Sequence, residues 1–335
     1  MRHRTLGRTG LRVSEVFFGA MGFYEGGAPD EHRAMIDAYE RAGGNVIDTA
    51  SAYGESESVL GELLAGRRDR FVLATKYSLS RDRSDVNAAG NHRKNLVHSL
   101  ERSLRRLRTD YIDLYWVHLW DRRTPLEETM RALDDVVRAG KVLYVGISDA
   151  PAWVVSRANA LAEWRGWTPF AGLQVPYSLL RRDAERELLP MAGALGVSVA
   201  AWGPLAGGVL SGKFSGGGRH AGQDTRVDPG TLTARDHAVA GAVVKVAAET
   251  GATPAQVAIA WTRARHPFVH PIVGAMDAAQ LADNLGAVDV TLTEEALRTL
   301  EGAAAFEPGF PSDFLAECEA DPQVFGEGYR SLAAS

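Results

Sequence analysis

The run YIDLYWVH, residues 111–118, is short, apolar and rich in strand-forming side chains until it closes on a histidine, and it reads as a β-strand. Working outward, seven more runs of the same kind stand at EVFFGA (15–20), NVID (45–48), FVLATK (71–76), KVLYVGIS (141–148), FAGLQ (170–174), VSVAAW (197–202) and FVHPIVG (268–274). Helical stretches fill the gaps at 30–42, 92–108, 125–139, 151–164, 184–195, 235–250 and 278–285. Several carry start signals: Asp30 precedes EHRAMIDAYE, and Thr124 with Pro125 opens LEETMRALDDVVRAG, which closes on Gly140. Strands alternating with helices imply βαβ units and a parallel sheet, and eight of them suggest a closed (β/α)8 TIM barrel rather than an open sheet.

Ahead of the first unit, RTLGRTGLRVS holds two short alternating runs around residues 7–10, read as a β-hairpin sealing the barrel bottom. The glycine-rich, polar stretch at 212–230 reads as a mobile lid loop between the seventh strand and its helix. LTEEALRTLEGAA offers one more helix, and the tail at 306–335 shows scattered aromatics without a clear period. A barrel of about 250 residues with extra loops accounts for the whole chain, 1–335, as one domain.

With 45% hydrophobic and 24% charged residues the chain has the composition of a folded globular protein. A formal net charge of -5 gives no general electrostatic reason to bind nucleic acid or an anionic membrane, and RRLR (105–108) reads as a solvated helix face. Cys318 is the only cysteine, so neither an intrachain disulfide nor a multi-cysteine metal site is expected, and a reducing cytoplasm fits. MRHRTLGRTG lacks the apolar run of a signal peptide, and no stretch reaches the roughly 18 apolar residues of a membrane span. No heptad stands out, so a monomer is the preferred expectation.

In a barrel, side chains that end the strands at the C-terminal face meet over one opening, which makes polar residues there candidates for chemistry. Asp48, Lys76, His118, Ser148, Gln174 and Trp202 each close an apolar run. Any one alone could mark only the point where water begins; six together point to a site. Tyr53 follows Asp48 by five residues in DTASAYG, enough chain to bring its phenol back over the mouth. A free phenol, with a pKa of about 10, is a poor acid at neutral pH. A nearby ammonium lowers that value and a carboxylate can hold the ammonium in place, parts that Lys76 and Asp48 could supply. His118 could then donate a hydrogen bond to a substrate carbonyl or help relay the proton.

DTASAYG, ATK, YIDLYWVH, VGIS, the LQ of FAGLQ, WGPLAGGVLSGKF and PIVGA appear in the order and positions of the aldo-keto reductase superfamily, which the chain resembles over nearly its whole length. The resemblance is strongest to the branch of aryl-alcohol dehydrogenases and bacterial reductases, through GISDAPAWVV (146–155). It implies NADPH-dependent reduction of an aldehyde or ketone, with NADH left open. Tyr53 would protonate the carbonyl oxygen, Lys76 and Asp48 would tune it, and His118 would orient the substrate. The resemblance also implies that Trp202 packs on the nicotinamide and that Ser148, Asp149 and Gln174 meet its carboxamide. The family usually has asparagine where this chain has Asp149, which removes an NH2 donor. The pyrophosphate would lie along Gly203, Pro204, Leu205 and Gly207 with Lys213, and the adenosine near Gly274, Ala275, Gln280 and Asn284. Many relatives grip a 2′-phosphate with lysine or arginine there, where this chain has Met276, Asp277 and Gln280. Phe23, Tyr24, Tyr77 and Trp120 stand in loops expected to line the substrate pocket, and the same loops leave the substrate itself undefined.

Competing readings fare worse. GGVLSGKF (207–214) nearly matches a phosphate-binding P-loop but has Phe214 where a hydroxyl is needed. A Schiff-base aldolase would use Lys76 as its nucleophile, yet Asp48 favours the charged amine over the neutral one required. His266 and His270 have helical metal-ligand spacing, but Pro267 and a β-rich run oppose a helix, so no metal site is expected and they read as strand-edge histidines. A regulatory subunit that binds NADPH without turnover keeps the same fold and is separated from an enzyme by assay.

Overall fold

In the computed structural model, which describes residues 1–24, 28–214 and 227–329, eight parallel strands close into a barrel. Two short antiparallel strands come first, β1 (His3–Thr5) and β2 (Arg12–Ser14). The barrel strands are β3 (Phe17–Gly19), β4 (Val46–Asp48), β5 (Val72–Tyr77), β6 (Ile112–Val117), β7 (Val142–Ser148), β8 (Phe170–Pro176), β9 (Ser198–Trp202) and β10 (Val269–Val273). They pair in chain order, and β10 returns to β3. The fold is a (β/α)8 TIM barrel with an N-terminal hairpin, and each of the eight apolar runs supplies one strand.

The helices are α1 (Pro29–Arg41), α2 (Ser56–Leu63), α3 (Arg93–Leu107), α4 (Leu126–Arg138), α5 (Ala152–Arg165), α6 (Leu188–Leu195), α7 (Ala234–Thr250), α8 (Pro254–Ala264), α9 (Ala278–Leu285), α10 (Glu294–Ala303), α11 (Ser312–Ala320) and α12 (Pro322–Phe325). Two of them, α2 and α8, fall where no helix was expected. The tail, read as patternless, contains α11 and α12. Neither has a buried residue, so no apolar stripe betrayed them. None of the helices among the described residues is long and apolar enough to cross a membrane. Most of the expected lid loop, residues 215–226, lies outside the described residues.

Successive side chains of a strand point to opposite faces, and this alternation builds two cores. Ile47, Leu73, Tyr115, Val117, Ile147, Leu173 and Val199 pack outward against the helices. Val46, Val72, Ala74, Leu114, Trp116 and Ala200 pack inside the barrel. Two residues beyond an inward apolar position lies the next inward one, so these columns run from Val46 to Asp48, from Ala74 to Lys76, from Trp116 to His118 and from Ala200 to Trp202. Trp116 fills the interior just below, because Gly146 and Gly172 make room for it: a Cβ on either would stand 2.3 or 2.7 Å from its ring.

The hairpin stops the opposite end. Leu6 and Val13 join the interior cluster, the Gly7 N–H donates to Ser198 Oγ at 2.8 Å, and a Cβ at Gly7 would meet the Ala171 carbonyl oxygen at 2.5 Å. Two sequence expectations change here. Arg106 is not a solvated residue of its helix face: its guanidinium donates to the Gly54 carbonyl and lies 3.7 Å from Glu57, tying α3 to α2. His270 is not at a strand edge but wholly buried on β10, its ring stacked on Phe17 with centroids 4.9 Å apart.

Candidate active site

The chain after β4 folds back over the barrel mouth through a short series of hydrogen bonds. Thr49 and Ser51 donate N–H bonds to the carbonyls of Ala74 (2.9 Å) and Lys76 (3.0 Å), extending the β4–β5 ladder past Asp48. The Tyr53 N–H then turns back to the Ala50 carbonyl at 3.0 Å. Ser56 pins the far side, bonded to Thr49 Oγ1 at 2.7 Å and donating to the Ala20 carbonyl at 2.7 Å, where α2 begins. The DTASAYGES stretch therefore carries Tyr53 to the end of the next strand, above Lys76.

There the Lys76 ammonium donates to the Asp48 carboxylate and, at 2.9 Å, to the Thr49 carbonyl, and stands 3.4 Å from the Tyr53 hydroxyl. Lys76 is 1% exposed and Asp48 4%, so this ion pair is screened from water. Gln174 Nε2 donates to the other Asp48 oxygen at 3.0 Å, a bond that sequence reasoning missed because it joins opposite parts of the barrel. His118 meets the Tyr53 ring edge to face, with centroids 5.7 Å apart, and its buried Nδ1 has no hydrogen-bond partner.

Burial holds the Tyr53 phenol above its ordinary pKa; Lys76 pulls it down, while Asp48 and Asp149 push it further up. The sequence argument had the ammonium lowering this pKa. Desolvation wins instead, because the phenol is taken out of water together with a carboxylate. His118 is depressed to about 3, by burial first and by the Lys76 charge second. At neutral pH the site thus presents a protonated phenol beside a neutral imidazole.

Asp149 follows β7 with φ at 49°, in the left-handed region. Its carboxylate accepts from Trp202 Nε1 at 3.3 Å and from Ser148 Oγ at 3.2 Å. The Arg181 guanidinium, also absent from the sequence reading, lies 5.9 Å from the Trp202 ring centroid. From Gly203, the residue after Trp202, onward the chain borders a cavity of about 190 Å³. Gly203, Pro204, Leu205, Gly207 and Lys213 line it from the segment after β9, and Gly274, Ala275, Gln280 and Asn284 from the segment after β10. Gly207 and its neighbour Gly208 have φ of 69° and 98°, which glycine alone adopts readily. Gln280 Oε1 accepts from the Met276 N–H at 2.7 Å, and Asn284 Nδ2 donates to the Gly274 carbonyl at 3.2 Å, so both side chains shape this wall.

The expected aromatic pocket divides. Tyr77 sits one residue beyond the inward Lys76 and therefore faces outward, fully buried and stacked on Tyr115 at 5.2 Å. Phe23 is buried against His32, ring centroids 4.2 Å apart. Both are buried, Tyr77 at 0% and Phe23 at 2% exposure. Tyr24 is 60% exposed, and Trp120 lines a separate surface cavity with Ser78, Leu79 and Asp121 while packing edge-on against Trp153 at 5.3 Å.

Among known protein families, the aldo/keto reductase family matches residues 15–305, a span that holds the whole barrel. The chain belongs to the aldo/keto reductase family. It is therefore an oxidoreductase, in a family whose members use nicotinamide cofactors. It is 39% identical to a norsolorinic acid reductase of Emericella nidulans, covering 94% of this chain and 84% of the relative. A putative aryl-alcohol dehydrogenase of Saccharomyces cerevisiae is 36% identical over 96% of this chain and 91% of its own. An aryl-alcohol dehydrogenase of Phanerodontia chrysosporium, named for NADP(+), is 38% identical over 92% and 88%. Two of these three relatives carry the name of the aryl-alcohol dehydrogenase branch that the motifs resemble, and all three are fungal rather than bacterial.

Proposed function

We propose that this aldo-keto reductase interconverts an aldehyde or ketone and its alcohol with NADPH, using Tyr53 as the proton donor. The observation that carries this reading is the buried Asp48–Lys76 pair beneath the Tyr53 hydroxyl, with neutral His118 against the same ring. When bound, the nicotinamide cofactor supplies the hydride. Tyr53 gives its hydroxyl proton to the carbonyl oxygen as the alcohol forms. Lys76 stabilises the phenolate left behind, and Asp48 holds Lys76 in place through their ion pair. His118, neutral at working pH, orients the carbonyl with a hydrogen bond.

The residues present fit the cofactor. Nine positions implied by the resemblance line one cavity, where left-handed glycines let backbone approach phosphates closely and Lys213 adds positive charge. Ser148, Asp149 and Gln174 would hold the carboxamide and Trp202 the ring. A relative named for NADP(+) supports NADPH, although residues 276, 277 and 280 offer no cation for a 2′-phosphate. Relatives named for norsolorinic acid and aryl alcohols favour an aromatic carbonyl compound as substrate. The names of these relatives point to a small-molecule substrate.

Replacing Tyr53 with Phe tests the reading. Cofactor affinity measured by titration should be kept, while NADPH consumption across a panel of aromatic aldehydes should fall at least about 100-fold. Near-normal turnover would overturn it.

A further inference from the structure

Among the described residues, Asp48 and Asp149 differ in how their charge is met at the barrel mouth. Asp48 is ion-paired with Lys76. Asp149 accepts only from neutral donors, Trp202 Nε1 and Ser148 Oγ, and it has no ion-pair partner among the described residues. Burial pushes its carboxyl above the usual carboxylate range, against the pull of those two donors and of the more distant Lys76 and Arg181 charges. The influence is mutual across the site, since Asp149 in turn raises the Tyr53 phenol. The position is also built for such a side chain. Its φ of 49° is left-handed, a conformation that aspartate and asparagine accept more readily than other non-glycine residues.

We propose that the Asp149 carboxylate makes the site discriminate between the two charge states of the nicotinamide ring, holding the oxidised, cationic form more tightly than the neutral, reduced one. The inference rests on the reading of Ser148, Gln174 and Trp202 as neighbours of that ring. An uncompensated carboxylate in a half-buried site attracts a cation far more strongly than it would in water. By accepting from Trp202 Nε1, Asp149 also stands at the edge of whatever stacks on the indole. Asp149 thereby acts in the direction of carbonyl reduction. In that direction, carbonyl, NADPH and a proton become alcohol and NADP+. The hydride carries an electron pair to the carbonyl carbon, and the proton reaches the oxygen from Tyr53. A nicotinamide ring held beside Trp202 would gain positive charge on giving up hydride, and Asp149, bonded to Trp202 Nε1 and without an ion-pair partner among the described residues, would be placed to meet it.

The test is calorimetric titration of the whole protein at pH 8 with NADP+ and with NADPH, in wild type, Asp149→Asn and Asp149→Ala. Asparagine keeps an oxygen for Trp202 Nε1 and tolerates the left-handed backbone, so it removes the charge alone. Alanine removes both. In Asp149→Asn the preference for NADP+ over NADPH should fall on the order of tenfold, equivalent to about 30 mV in the potential of the bound two-electron couple. NADPH affinity itself should change little, and Asp149→Ala should lose the preference to the same extent. A preference unchanged in Asp149→Asn but altered in Asp149→Ala would overturn the proposal, leaving Asp149 only a support for Trp202. Wild-type protein that binds neither form would overturn the cofactor assignment, and this inference with it.

Discussion

Gln174 Nε2 donates to Asp48 Oδ1 at 3.0 Å, joining inward positions on β8 and β4 that are 126 residues apart in the chain. The other carboxylate oxygen takes the Lys76 ammonium. Asp48 is thus held from both sides, and Lys76 is aimed at Tyr53 by a group that cannot rotate away.

Asp48→Asn should therefore cost stability as well as activity. It leaves an ammonium that is 1% exposed without its counter-ion, and removing one partner of a buried pair costs about 3–5 kcal/mol. Urea unfolding should show that loss, with part of it recovered in Asp48→Asn/Lys76→Met, where no charge remains to bury. A single variant as stable as wild type would contradict the burial of the pair. Gln174→Leu spares the pair and should cost only about 1–3 kcal/mol, the penalty for an unsatisfied buried acceptor.

Why the strands and their polar ends were legible follows from the barrel's geometry. Each strand shows an apolar run, and each inward column ends on its polar residue at the rim, so Asp48, Lys76, His118 and Trp202 could be gathered from sequence alone. Tyr77 shows the limit: being next to Lys76 in sequence places it on the opposite face, a parity the loop-based reading did not use. Phe23 was lost to a stacking contact with His32 that no local pattern reveals. PAQVAIAWTRA, the helix α8, is apolar on nearly all sides and shows no stripe; the legible signal was Thr253 capping it with Gln256 three residues on. The Gln174 bond to Asp48 was out of reach for a different reason, since nothing local relates β8 to β4.

The interior beneath the site is packed closely enough to resist one added methyl group. A Cβ on Gly146 would lie 2.3 Å from the Trp116 ring and 2.9 Å from the Gly172 carbonyl oxygen, and overpacking of this kind costs about 1–3 kcal/mol. Gly146→Ala should lower the unfolding midpoint accordingly. Adding Trp116→Leu in the same chain should cost less than Trp116→Leu does alone, because the smaller side chain vacates the space the methyl group enters. Strict additivity of the two substitutions would show that the sites do not touch.

Lys213 lines the cavity between the segments after β9 and β10, its ammonium 5.5 Å from the Phe214 ring centroid. A charge-assisted bond to a phosphate oxygen is worth about 1.5–3 kcal/mol. Lys213→Ala should accordingly weaken NADPH binding about ten- to one-hundred-fold in fluorescence titration, with kcat at saturating cofactor nearly unchanged. The difference between the two proteins should shrink as salt is added. Equal affinities at low ionic strength would remove Lys213 from the cofactor site.

His118 gives the molecule an acid sensitivity whose sign is set by its burial. Its pKa in the folded protein is about 3, below the ordinary value of about 6.5. Between those two values the unfolded chain binds a proton that the folded protein refuses. Stability is therefore fully in place above pH 6.5 and is lost as pH falls toward 3. His270, at about 4 and buried inside the barrel, acts with the same sign. Glutamine at 118 cannot be protonated, so His118→Gln should lose less stability than wild type between pH 7.5 and pH 5 in urea unfolding, whatever its absolute stability at pH 7.5. Over the same range kcat/KM of the wild-type protein should show no limb from His118, since the imidazole is neutral throughout. Equal losses in the two proteins would mean that His118 titrates in the folded state as it does in the unfolded chain.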